Sequence, residues 1–187
     1  MTENSKIVSF ESERLILVDS EDKIVGYKSK AECHNGEGIL HRAFSLFIFN
    51  DQEQVIMQQR AADKRLWPLI WSNSCCSHPR EGETYDYATK RRLKEELGLE
   101  AQLHFLYKFQ YHARWKDEGS EKELCSVYIG KTSAQPAVNP NEIADWKWIS
   151  REELNTDLEK NPDIYSPWFK MEWKEIQENF WNKVDAL

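Results

Sequence analysis

Residues 71–83, WSNSCCSHPREGE, place adjacent thiols at Cys75 and Cys76 and an imidazole at His78 just ahead of an acidic run. A thiolate is both a nucleophile and a base, and nearby cations or metals lower its pKa. Such a stretch can therefore move protons, attack carbon or hold a metal. Upstream, His34 and His41 stand seven residues apart; downstream, Glu121 and Glu123 flank Lys122. Side chains at i and i+2 of a strand share a face, so both carboxylates would point together. Three imidazoles with two or three carboxylate oxygens suit an octahedral N/O site, for Mn²⁺ or Mg²⁺ where geometry decides and Zn²⁺ where raw affinity does. A competing assignment makes Cys75, Cys76 and His78 zinc ligands, but no Cys-x-x-Cys partner occurs elsewhere in the chain. His104, His112, Cys33 and Cys125 read as structural residues.

Elements must position these groups. RLILVDS (residues 14–20) reads as a strand, and AFSLFIFNDQEQVIMQQR (43–60) as two strands around a polar turn at 50–54. ETYDYATKRRLKEELGLE (83–100) reads as a helix stopped by Gly98. Residues 103–115, 123–133 and 144–150 read as further strands, the first two separated by the charged loop KDEGSEK. SREELNTDLEK begins a helix. A final helix takes Ser166 as N-cap and Pro167 as first residue. Phe169, Trp173, Ile176 and Phe180 recur along it at helical spacing, as a packing stripe. No repeat or low-complexity linker interrupts the chain. This order predicts a single α+β domain over residues 13–187. Residues 1–12 form an N-terminal extension compatible with disorder.

Glu83, Arg91, Leu93, Glu95, Glu96, Gly98 and Leu99 fall in register with the Nudix box, Gly-x5-Glu-x7-Arg-Glu-hydrophobic-x-Glu-Glu-x-Gly-hydrophobic. Ser77 replaces its first glycine and Arg92 the acid after Arg91. Carboxylates on one short helix can hold Mg²⁺, which screens a diphosphate. The same residues also describe a surface helix laced with i,i+4 pairs such as Arg91 with Glu95. Arg92 weakens the metal cluster that hydrolysis uses and leaves the scaffold resemblance intact. With ECHNGEGILHRAFS, QQRAADKRLWPLIWSNSCCSHP, FQYHARW, SEKELCSVY and SPWF in collinear order, the chain resembles type I isopentenyl-diphosphate isomerases from the first strand to the last helix. A Nudix-like mixed β-sheet sandwich flanked by helices is the fold this implies.

The resemblance also implies a reaction and a site. Isopentenyl and dimethylallyl diphosphate would interconvert by protonation of an unactivated alkene, a carbocation-like state, and loss of a proton from the adjacent carbon. Cys76 is the implied catalytic thiol, with Cys75 packing. Glu123, polarised by Tyr111, is the implied acid, and which of Cys76 and Glu123 acts first in each direction stays open. The family's metal position falls on His34, His41, His78, Glu121 and Glu123, for Mn²⁺, Mg²⁺ or Zn²⁺. Trp168 would steady the cation, a contact worth about 0.5–2 kcal/mol; Trp67 and Trp71 are second choices. Lys30, Arg60, Lys64 and Arg92 match the basic positions that grip the diphosphate, with Ser77 adding a contact. Glu96 would hold a Mg²⁺ bridging to the diphosphate, with the Cys76 backbone carbonyl nearby. No flavin or nicotinamide is expected. Arg65, Arg80 and Arg91 read as solvated surface charges.

Composition limits the alternatives. A formal charge of −7 over 187 residues argues against a general nucleic-acid or acidic-membrane binder. The N-terminus shows no signal core, and no run reaches the roughly 20 apolar residues of a membrane span. A cytoplasmic protein with reduced thiols is expected, as monomer or homodimer. Eight Trp, eight Phe and seven Tyr supply a core or an apolar pocket. Two other functions fit less of the chain. A Nudix-type diphosphate hydrolase would use a carboxylate cluster on the 83–96 helix and dispense with Cys76. An inert binding module would show broken ligand positions.

Overall fold

The computed structural model describes residues 5–187. In chain order come β1 (Arg14–Val18), β2 (Ile24–Ser29), α1 (Lys30–His34), β3 (His41–Phe49), β4 (Val55–Arg60), β5 (Trp71–Ser72) and β6 (Cys75–Ser77). Next are α2 (Tyr85–Leu97), β7 (Leu103–Trp115), β8 (Gly119–Lys131) and β9 (Ile143–Ile149). Helices α3 (Arg151–Lys160), α4 (Pro167–Glu175) and α5 (Trp181–Val184) follow, α4 and α5 being joined by a π turn, Ile176–Phe180. Among the described residues nine strands form one mixed sheet, the α+β architecture expected. No helix among them is long and apolar enough to cross a membrane.

β3 organises the molecule. Its sequence, HRAFSLFIF, is apolar on nearly every residue instead of alternating, the mark of a strand covered on both faces. Ala43, Phe47 and Phe49 pack with Trp168, Phe169 and Trp173 of α4. Phe44, Leu46 and Ile48 pack with Ala88, Leu93 and Leu97 of α2. Along its whole length β3 runs parallel to β8, from His41 beside Glu123 to Phe49 beside Lys131.

Several boundaries differ from the sequence reading for local reasons. The helix expected over 83–100 is shorter, because the Thr84 side chain caps Tyr87 N–H and Gly98 turns left-handed at φ 66°. α1, β5 and β6, of five, two and three residues, are too short to show a period. A capping box between Ser29 and Glu32 starts α1. The stripe in the last helix breaks at the π turn, whose wider winding leaves Phe180 half-buried and stacked on Tyr107 at 5.1 Å.

The charged segment KDEGSEK is mostly strand. Only Lys116 to Glu118 turn, and β8 begins at Gly119. A Cβ at Gly119 would lie 2.2 Å from the His34 carbonyl oxygen, and φ is +153° there. This close approach seats the end of α1 against the start of β8. Gly119→Ala is therefore expected to destabilise the fold by about 1–3 kcal/mol and to displace His34. Thermal unfolding checks the first effect, and a divalent-metal titration the second.

Residues 1–4 of the N-terminal extension lie outside the described residues. The remainder runs across the basic side chains: the Val8 carbonyl accepts from Arg80 and Arg92, Lys6 O from Asn139, and Ser9 Oγ from Lys30.

Candidate active site

Strand register turns distant sequence positions into neighbours. The β3–β8 pairing sets His41 beside Glu123, and the β7–β8 pairing sets Tyr111 on the other side of Glu123. β6 lies antiparallel on β3 with Cys76 opposite Ser45. His34 arrives from α1. The ligand atoms of His34, His41, His78, Glu121 and Glu123 all lie within 4.8 Å of one another. His34 Nδ1 sits 2.7 Å from Lys30 O, and His41 Nδ1 2.7 Å from Ile39 O. A carbonyl only accepts, so both Nδ1 atoms carry a proton and both Nε2 atoms face the cluster.

The cluster is chemically incomplete by itself. His41 Nε2 and Glu121 Oε2 are buried without hydrogen-bond partners, and such groups cost about 1–3 kcal/mol each. Glu121 Oε2 stands 2.7 Å from His34 Nε2 without hydrogen-bonding geometry. Burial, then the neighbouring His41 and His34, hold His78 well below the ordinary imidazole pKa, in the neutral form that ligates metals. A divalent cation satisfies every one of these atoms, and the three-nitrogen, mixed-oxygen donor set fits one.

The alternation of β6 separates the two thiols. Cys75 is fully buried among Phe44, Leu46, Leu93 and Leu97 on the α2 side. Cys76 faces the other way, so the two cannot share a zinc ion with His78. Cys76 S–H donates to Asn73 Oδ1 at 2.8 Å, and Trp168 Nε1–H is shared between Ser72 Oγ at 3.0 Å and Cys76 Sγ at 3.2 Å. Burial, then the charge of Glu172, push the thiol pKa up. Cys33 and Cys125 are buried, and His104 and His112 are exposed outside the cluster.

A cavity of about 340 Å³ gathers every predicted site residue except His41, which lies fully buried behind it. Cys76, Tyr111, Glu121, Glu123 and Trp168 line it, as do Lys30, Arg60, Lys64, Ser77, Arg92 and Glu96. Tyr111 O–H donates to Glu123 Oε2 at 2.6 Å, and His78 Nε2 is 2.8 Å from Glu123 Oε1. Arg60 is held over the Trp168 ring at 5.6 Å by the carbonyls of Leu66 and Trp67. Arg92 bridges Glu96 at 2.5 Å and Glu142 at 3.0 Å, and Lys64 pairs with the same Glu142. Burial and the nearby Lys64 pull the Lys30 ammonium pKa down.

Some expectations need correction. Arg65, Arg80 and Arg91 are not free surface charges. Arg65 lines the cavity and bonds Asn35 and the Glu118 carbonyl; Arg80 bonds Glu13; Arg91 is clamped between Glu83 and Glu95. Trp67 and Trp71 do not line the cavity. Trp67 packs edge-on behind Trp168 at 5.1 Å, and Trp71 lies under Lys147. The reading of the sequence missed Ser45, Asn73, Glu142 and Glu172. Only Glu172 left a signal: an acid at an inward position of the α4 aromatic stripe.

The fold and site have known relatives. A NUDIX domain model matches residues 39–169. The chain is 43% identical over 174 residues to Isopentenyl-diphosphate Delta-isomerase 1 of Photorhabdus laumondii, covering 92% of this chain and 99% of that protein. Isopentenyl-diphosphate Delta-isomerase of Serratia proteamaculans is 39% identical, covering 89% and 93%. Among solved structures, DR0079 from Deinococcus radiodurans superposes with TM-score 0.66 at 27% identity, over 80% of this chain and 90% of that one. A MutT protein from Methanosarcina mazei, with TM-score 0.58 and 15% identity over 79% and 94%, shares the fold. Identity of this extent along nearly the whole chain, on a Nudix scaffold, makes the protein a member of the isopentenyl-diphosphate Delta-isomerase family.

Proposed function

We propose that the chain interconverts isopentenyl and dimethylallyl diphosphate with Cys76 and Glu123 as its proton-handling pair. The observation that carries this reading is the convergence of both groups, with the Trp168 ring, on one cavity that also holds five Lys and Arg side chains. Lys30, Arg60, Lys64 and Arg92 receive the diphosphate, and Ser77 adds a contact beside Cys76. Glu96 would hold a Mg²⁺ that screens the diphosphate, with the Cys76 backbone carbonyl nearby. His34, His41, His78, Glu121 and Glu123 would hold a second divalent ion, Mn²⁺, Mg²⁺ or Zn²⁺. When bound there, that ion fixes Glu123 and withdraws charge from its carboxyl group.

The chemistry needs one proton added to the terminal alkene carbon, which leaves positive charge on the carbon beside it, and one removed from the carbon on the other side of that centre. Glu123 and Cys76 divide those tasks, and reversing the reaction exchanges them. Tyr111 donates to Glu123 and so favours its carboxylate whenever the proton has left. Asn73 and Trp168 hold the sulfur from two sides. The Trp168 ring borders the carbon that becomes positive without offering it a nucleophile. A cytoplasmic location, where thiols stay reduced, suits a catalytic cysteine.

Hydrolysis fits the geometry less well. Glu83 and Glu95 are engaged by Arg91, and Arg92 stands where the Nudix box has an acid. Incubation with isopentenyl diphosphate and Mg²⁺ in D₂O separates the readings. Deuterium should enter the carbon skeleton without phosphate release; phosphate release without exchange would replace the proposal with a hydrolase.

A further inference from the structure

Behind Cys76 the interior holds a carboxyl group that this chemistry does not use. Glu172 lies one turn beyond Trp168 on α4, fully buried between Phe169, Trp173 and Ile176 of the packing stripe. It does not line the cavity. Its Oε1 accepts from Cys125 S–H at 3.5 Å, while Oε2 has no hydrogen-bond partner. Cys125 Sγ thus stands between Ser45 and the carboxyl group, 3.5 Å from an oxygen of each. Ser45 Oγ is also 3.4 Å from Cys76 Sγ and 3.5 Å from Cys125 Sγ.

No cation compensates this group. The charges and dipoles that act on it are Cys125 and Glu123 from β8 and Ser45 from β3; Tyr107 of β7 reaches only its backbone carbonyl, and Cys76 of β6 lies beyond Ser45. A carboxylate in dry, cation-free surroundings takes up a proton, and burial raises the Glu172 pKa to about 8. A carboxylate draws a neighbouring hydroxyl donor to itself, and a neutral carboxyl does so far less.

We propose that Glu172 is a positioning residue for the thiol: as a neutral acid, joined to Ser45 through Cys125, it leaves the Ser45 O–H turned toward Cys76 Sγ. With Trp168 N–H and Ser45 O–H both donating and S–H given to Asn73, the sulfur is held in orientation toward the cavity. Ionising Glu172 would draw the Ser45 O–H away from Cys76 and set a negative charge behind the sulfur. The inference rests on Cys76 being the reactive thiol of the proposed isomerase.

Glu172→Leu, Glu172→Gln and Ser45→Ala test it with two independent readouts. The first is alkylation of Cys76 by iodoacetamide, followed by mass spectrometry, which requires no turnover. The second is kcat and KM across pH. Glu172→Leu and Ser45→Ala should each change the alkylation rate at least threefold and lower kcat about tenfold, with KM within twofold. Glu172→Gln, neutral and still able to accept from Cys125, should restore most of the kcat lost in Glu172→Leu. It should also move upward the alkaline fall in kcat that the wild type enters near pH 8. Wild-type alkylation in all three variants, a Gln variant as impaired as Leu, or an unmoved alkaline limb would each overturn the assignment. If Glu172→Leu fails to fold, Ser45→Ala, which removes one oxygen, decides between the same outcomes. Altered alkylation in a protein that does not isomerise would sink the isomerase reading and leave the positioning role standing.

Discussion

Replacing Cys76 with alanine is expected to lower isomerisation about 10³-fold or more, while Cys75→Ala leaves most of it in place. The two residues are chemically identical and adjacent, so the difference must come from where strand β6 points them. Cys76 Sγ opens on the cavity and is held by Asn73 and Trp168. Its removal deletes one of the two proposed proton-transfer groups, and general acid–base catalysis contributes about 10²–10⁴-fold. The loss should show in kcat, because the basic residues proposed to grip the diphosphate are untouched. Cys75 is a small apolar group in the α2 core. Its truncation should cost about 1–2 kcal/mol of stability, visible as a lower Tm with normal turnover. Deuterium incorporation measured for both variants decides the matter. Equal loss in the two would remove Cys76 from the reaction.

The pair also shows what a sequence can and cannot disclose. Period-2 alternation predicts that neighbours in a strand face opposite sides, yet β6 is three residues long and carries no period of its own. Only the resemblance singled out Cys76. The long elements were legible because apolar pattern, caps and turn residues agree in them: β3 and β4 around residues 50–54, α2 ending at Gly98, α4 starting at Pro167. Glu121 and Glu123 could be placed on one face from their spacing alone, although the strand that carries them starts earlier than its charged sequence suggested. What stayed hidden depends on contacts between distant residues. Glu142 reaches Lys64 and Arg92 from a loop before β9, and nothing local distinguishes it from a surface acid. Ser45 is one polar residue in an apolar strand, and its partners come from β6, β8 and α4.

Glu123→Gln is expected to lower kcat about 10³-fold even when divalent metal is saturating, whereas Glu121→Gln should lose metal affinity first. Both carboxylates belong to the same cluster, so a purely electrostatic role predicts equal behaviour. Their partners differ. Glu121 lies 2.7 Å from His34, but Glu123 lies between His78 at 2.8 Å and the Tyr111 hydroxyl at 2.6 Å, with His41 Nε2 at 3.6 Å. That setting ties one oxygen to the histidines and gives the other a donor whose hydrogen bond strengthens as negative charge grows, which is what a proton-transferring carboxylate needs. An amide keeps the shape and still accepts from Tyr111, but it cannot gain or lose the proton. Adding metal should therefore restore much of the activity of Glu121→Gln and little of Glu123→Gln. Metal titration against initial rate for each variant makes the comparison. Full rescue of Glu123→Gln by metal would reduce Glu123 to a ligand and move the proton transfer elsewhere in the cavity, with the Tyr111 hydroxyl the nearest group able to carry it.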